Sequence, residues 1–220
     1  MKSLIISPHP DDELLGVGGT ILKRNSKGNK VGWLIISDVK TIYGWDKKFV
    51  NIRSKEIKKA SKFFNFSNVY NLGFPSGRLD TIPIIDLVSK IFKVLKTFKP
   101  EEIFIPHNSD AHTDHKIVFD CVSSASKNFR APFIKRILAY ETLSETGFNL
   151  NKSDQFIPNH FEDISKQINK KIKAIDIYKS EFKKFPFPRS KEALISLAKF
   201  RGTMIGAAAA ESFQLLNQIN

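Results

Sequence analysis

Within five residues, His9 to Glu13, the stretch Ser7-Pro8-His9-Pro10-Asp11-Asp12-Glu13 gathers an imidazole and three carboxylates directly after the apolar run Leu4-Ile5-Ile6. A second cluster, Asp110-Ala111-His112-Thr113-Asp114-His115, lies shortly after another apolar run, Ile103-Phe104-Ile105. Neutral imidazole and carboxylate are preferred ligands of zinc and related divalent ions. Pro10 stiffens the first loop and so fixes how its neighbours splay. A lone histidine is most often a satisfied structural residue, but three of the five histidines (His9, His112 and His115) fall in these two aspartate-rich loops. His9, His115 and an aspartate of the first loop form the candidate ligand set. From the residues alone, either Asp11 or Asp12 completes it. His107 and His160 lack such company and are read as ordinary residues. The chemistry indicated is that of a metallohydrolase.

The flanking segments must bring the two loops together. Strand-like runs at 3–7, 31–37, 69–72, 102–106 and 135–141 alternate with helix-like stretches at 14–27, 51–64, 84–98 and 115–126. Short apolar strands alternating with helices predict an α/β fold, a Rossmann-like three-layer sandwich with a mostly parallel sheet. In the order 3-2-1-4-5, the first and fourth strands are neighbours where the order reverses, and ligands bind beyond strand carboxyl ends at such a point. The two clusters follow the first and fourth strands and are expected to face each other there. Gly16-Val17-Gly18-Gly19-Thr20 lacks the last small residue of a dinucleotide fingerprint and sits beside three carboxylates. It is read as close packing of helix against sheet. Beyond Thr142 the pattern is less regular: a loop over 143–155, a strand at 160–164, and helices at 165–178 and 191–200.

At 220 residues with 41% hydrophobic content, the chain fits one domain over 1–220 with a sizeable core. The single cysteine, Cys121, cannot form an internal disulfide, which suits a reducing compartment. No apolar stretch approaches the roughly 18 residues of a membrane span. The expected location is cytoplasmic, the protein is expected to be soluble, and the oligomeric state, a homo-oligomer included, is left open. The net charge of +13 comes mostly from scattered lysines. It is compatible with an anionic ligand, but no nucleic-acid-binding motif accompanies it, so nucleic acid is not the expected partner.

At these residues the chain resembles the PIG-L/LmbE-like family of metal-dependent N-acetylglucosaminyl deacetylases. The family's His-Pro-Asp-Asp-Glu motif is His9-Pro10-Asp11-Asp12-Glu13, and its His-x-Asp-His motif is His112-Thr113-Asp114-His115. Weaker echoes extend along nearly the whole chain, among them Arg53-Ser54-Lys55-Glu56, Tyr140-Glu141 and Ala210-Glu211-Ser212-Phe213. Ser76 departs from the family, whose members often carry aspartate in that turn.

The resemblance implies His9, Asp12 and His115 as zinc ligands, with iron, cobalt or manganese as alternatives, and Asp11 as general base. It further implies removal of an acetyl group from a small N-acetylated amino sugar or its conjugate, with an anionic conjugate left open. A cationic His112 is expected to stabilise the oxyanion, with Asp114 orienting and charging it. Arg53 and Tyr140 are expected at the substrate; the simpler readings are an ion pair between Arg53 and Glu56 at i, i+3, and a tyrosine that closes the sheet. Rival readings are an amidase on a sugar–thiol conjugate, a mononuclear Fe(II) oxygenase with two histidines and a carboxylate, and a basic anion-binding module with a vestigial metal site. The βα pattern and the full set of candidate catalytic groups weigh against the last two.

Overall fold

The computed structural model describes residues 1–150 and 154–219. Seven strands form one sheet in the order β3-β2-β1-β4-β5-β7-β6. The strands are β1 (Lys2–Ser7), β2 (Lys30–Asp38), β3 (Asn68–Pro75), β4 (Glu102–Pro106), β5 (Arg136–Tyr140), β6 (His160–Asp163) and β7 (Ala210–Gln218). The helices are α1 (Asp12–Ser26), α2 (Lys47–Phe64), α3 (Ile84–Phe98), α4 (Thr113–Ala125), α5 (Ile168–Lys173) and α6 (Lys191–Thr203). β1 to β5 pair in parallel, and β7 joins antiparallel to both β5 and β6. The expected 3-2-1-4-5 order is therefore present, extended by two strands.

Alternation along β1 explains the layering, because successive side chains leave opposite faces of a strand. Leu4 and Ile6 join Leu34, Ile36, Ile103 and Ile105 under α3 and α4. Ile5 joins Trp33, Ile35 and Phe104 under α1 and α2 on the other face. With helices on both faces the central strands β1, β2 and β4 are buried, which is why they read as continuous apolar runs. α3 ends at Phe98 and is capped by Lys99, in a left-handed conformation just before Pro100. Among the described residues no helix is long and apolar enough to cross a membrane.

The glycine-rich stretch packs as expected. A side chain at Gly16 would strike the Tyr140 ring, and one at Gly19 would meet Ile164 at 2.7 Å. Two elements differ from expectation. The helix expected at 165–178 is divided into α5 and a 3-10 turn, Ala174–Ile177. β7 was not expected as a strand, because Glu211, Gln214 and Asn217 interrupt its apolar pattern. Glu211 is nevertheless buried, accepting hydrogen bonds from the Gly19 and Thr20 amides of α1 at 2.7 and 2.8 Å and from Lys171 Nζ at 2.6 Å. The loop expected over 143–155 includes 151–153, which lie outside the described residues.

Candidate active site

β1 and β4 are hydrogen-bonded neighbours, and the loops leaving their carboxyl ends start α1 and α4. This switch point brings His9, Asp12 and His115 together, with one ligand atom from each inside a 4.8 Å cluster. Asp12 Oδ2 lies 3.6 Å from His9 Nδ1 and 3.5 Å from His115 Nε2. With metal–ligand distances of about 2.0–2.2 Å, tetrahedral ligands stand roughly 3.3–3.5 Å apart. The three residues fit a zinc-sized divalent ion.

The outer nitrogen of each histidine supports the same conclusion. His9 Nε2 is 3.0 Å from Asp114 Oδ2, and His115 Nδ1 is 2.8 Å from Asp110 Oδ2. A ring nitrogen facing a carboxylate carries the proton, so the opposite nitrogen of each neutral ring turns its lone pair to the centre shared with Asp12. Asp110 and Asp114 are both fully buried. Burial opposes charge on His9, yet Asp114 and Asp12 outweigh it and raise its pKa to about 10. Burial pushes Asp12 up, but His115 and His9 hold it down at about 2. A divalent cation at this point competes with those protons for the same lone pairs.

Asp11 stands beside the triad but outside it. Its φ of 130° lies in a region that non-glycine residues rarely occupy, a strain concentrated at functional positions. The conformation is tied down from several directions. Its amide donates to Glu13 Oε2 at 3.0 Å, and the buried Tyr178 hydroxyl donates to the other Glu13 oxygen. Arg53 donates to the Pro10 carbonyl. Among the described residues the Asp11 carboxylate itself accepts no hydrogen bond, and it lines the cavity. Burial and the neighbouring Asp12 raise it to about 8, against the pull of Arg53.

The cavity holds about 320 Å³ and is also lined by His112, Arg53, Trp45 and Ser76. His112 caps α4: the Asp114 amide donates to its Nδ1 at 3.1 Å. With Nδ1 accepting, a neutral His112 carries its proton on Nε2. Burial, together with charge on His9 and His115, lowers its pKa to about 4. The Asp114 amide orients His112 and the Asp114 charge favours a cationic ring, but no carboxylate–imidazole bond joins the two. The Asp114 carboxylate is instead taken up by His9 and by the amides of Gly77 and Leu79, at 2.8 and 3.2 Å.

The two residues expected at the substrate differ in placement. Tyr140 has no exposed surface and is not on the cavity wall; its hydroxyl donates to the Ile6 carbonyl at 2.9 Å and its ring packs on Gly16. It lies in the core beneath α1 and α2, behind the cavity wall. Arg53 does line the cavity, but its guanidinium is engaged by Pro10, by Glu56 at 2.9 Å and by Glu181 at 3.3 Å. The ion pair with Glu56 exists, and it is buried. The roles of Asp110 and of the Glu13–Tyr178 pair were not read from the sequence. For Asp110 the signal was a carboxylate five residues before a ligand histidine. His107, bonded to Ser109 and Gln214, is structural as expected.

Two histidines and an aspartate with carboxylates behind the rings, beside a strained free carboxylate, define the site of a metal-dependent hydrolase. Residues 4–126 match the family model described as PIG-L, GlcNAc-PI de-N-acetylase, and the chain belongs to that family. It is 27% identical to diacetylchitobiose deacetylase of Thermococcus kodakarensis, over 98% of this chain and 83% of that one. The conserved protein TT1542 of Thermus thermophilus shares the fold with a TM-score of 0.79 and 26% identity, covering 99% of this chain and 96% of that one. N,N′-diacetylchitobiose deacetylase of Pyrococcus horikoshii superposes with a TM-score of 0.77 at 24% identity, covering 98% and 84%, a likeness of fold.

Proposed function

We propose that this chain, acting as a single domain over 1–220, is a zinc-dependent hydrolase that removes the acetyl group from an N-acetylated amino sugar. The reading is carried by one observation: two correctly oriented imidazoles and Asp12 meet within 4.8 Å while Asp11 faces the same cavity unbonded. The family match and the relatedness to a diacetylchitobiose deacetylase support it. Iron, cobalt or manganese suit the same donors. The lone cysteine is the basis for placing the enzyme in the cytoplasm.

When bound, the ion supplies Lewis acidity, polarising the amide carbonyl and acidifying water. Asp11 takes the proton from the attacking water, and the new C–O bond forms at the acetyl carbon. His112 Nε2–H donates to the carbonyl oxygen as negative charge develops there. Asp11 then returns the proton to the departing nitrogen as the C–N bond breaks, leaving acetate and a free amine. The strained backbone and the Glu13–Tyr178 and Arg53 supports hold Asp11 in place before substrate arrives, the form of pre-organisation that catalysis needs.

The test is acetate release from a panel of N-acetylglucosamine conjugates, with Asp11→Asn as control. Release by the native enzyme and little by the variant is the expected result. No release from any conjugate would overturn the reading.

A further inference from the structure

The reacting groups account for only part of the cavity wall. Trp45 and Phe49 also line it, their rings stacked at 5.4 Å between centroids and 25° between planes. Trp45 keeps 39% of its surface exposed, and neither ring belongs to the buried core clusters. An apolar contact across a helix start staples the chain's entry, but the staple partner of the residue before the cap is the fourth helical residue, here Val50. Stapling therefore does not require this aromatic pair.

The pair is also held in place. Tyr43 ties its loop to the Gly73 carbonyl at 3.2 Å. Asp46 caps α2 through the amides of Lys48 and Phe49, at 2.8 and 3.2 Å. A flat, pre-set aromatic surface at the edge of a polar cavity suits a ligand that is apolar on one face and hydroxylated around its rim. A pyranose ring has that form.

Charge narrows the choice. The described residues on the wall include five carboxylate side chains and two arginines. Both arginines are paired, Arg53 with Glu56 and Glu181, and Arg189 with Glu181 at 3.5 Å. Carboxylates outnumber arginines on this wall and both arginines are already paired, so it offers no unpaired cationic side chain to receive a phosphate or carboxylate on the substrate. The chain's +13 lies elsewhere on its surface.

We infer that Trp45 and Phe49 form a subsite for a second, uncharged sugar ring, so that the substrate is a neutral N-acetylated saccharide of at least two rings. The inference rests on the deacetylase reading and makes the Trp45 loop a specificity determinant.

The experiment measures acetate release from N-acetylglucosamine, N,N′-diacetylchitobiose and N-acetylglucosamine 1-phosphate by native, Trp45→Ala and Phe49→Ala enzymes. Native kcat/KM should be highest for the disaccharide and lowest for the phosphate. In Trp45→Ala the disaccharide-to-monosaccharide ratio should fall about tenfold, mainly through KM, as expected for one lost stacking contact. An unchanged ratio, or a native preference for the phosphate, overturns the inference. A second readout does not need turnover. Trp33 is fully buried, so Trp45 is the tryptophan that reports on the cavity. In metal-loaded Asp11→Asn, the disaccharide should shift tryptophan emission and the phosphate should not. That shift without acetate release from any probe in the native enzyme would remove the deacetylase reading and retain the subsite. Acetate release with no Trp45 effect would do the reverse.

Discussion

Asp114→Asn separates two accounts of one carboxylate. Asp114 is two residues from His112, but its Oδ2 is 3.0 Å from His9 Nε2 and its Oδ1 accepts the Leu79 amide at 3.2 Å. The substitution keeps the shape and removes the charge. The amide NH2 avoids the Oδ2 side, where it would face both His9 and the Gly77 amide, and takes the Oδ1 side, where it opposes only Leu79. That one mismatch costs roughly 1–3 kcal/mol of stability. The His9 bond persists, but as a bond to a neutral oxygen. The difference between charged and neutral hydrogen bonds, about 1–1.5 kcal/mol, weakens metal binding about tenfold. This is the lower end of the 10- to 100-fold range for outer-shell changes. Zinc affinity is measured by competition with a chromophoric chelator, with metal-free melting as a check on folding. A folded variant with native zinc affinity and depressed turnover would refute the reasoning and return Asp114 to His112.

The remaining predictions concern the other groups of the site. His9→Ala or His115→Ala should abolish stoichiometric metal in elemental analysis, each removing one of three ligands. Asp11→Asn should keep the metal while lowering kcat by about a hundredfold or more. Asp11 is active as the carboxylate, and burial with Asp12 raises its pKa to about 8. A cation at the triad opposes that rise, so native kcat/KM should climb with pH on an acidic limb below 8, and the limb should be absent from Asp11→Asn. Metal-replete His112→Gln retains a neutral donor and should lose less than His112→Ala, which should lose about a hundredfold in turnover. Equal losses would show that the Nε2 donor has no catalytic part. Gly16→Ala forces a methyl group into the Tyr140 ring and should destabilise by about 1–3 kcal/mol, lowering the Tm by several degrees.

Much of the fold was legible because burial on both faces writes parallel strands as apolar runs. The bounds expected for α3 and β4 coincide with the observed ones. The site was legible because the switch point follows from strand order, and both ligand loops sit at strand carboxyl ends. Spacing does not show direction, however. Asp114 adjoins His112 in sequence yet bonds His9 across the sheet, 105 residues away. Tyr140 shares a strand face with Leu138, and both belong to the core beneath α1 and α2. Reading β5 with a period of two would have placed it there. β7 stayed hidden because its buried Glu211 serves the amides of α1 and Lys171, and a sequence does not show such pairing.

The central claim is that His9, Asp12 and His115 hold a metal ion on which amide hydrolysis depends. Its most direct test is zinc titration of chelator-stripped protein, followed by acetate release from N,N′-diacetylchitobiose. The account predicts almost no release from the stripped protein and a linear rise that saturates at one equivalent of zinc per chain. Full activity in verified metal-free protein, or saturation unaffected by His115→Ala, would contradict it.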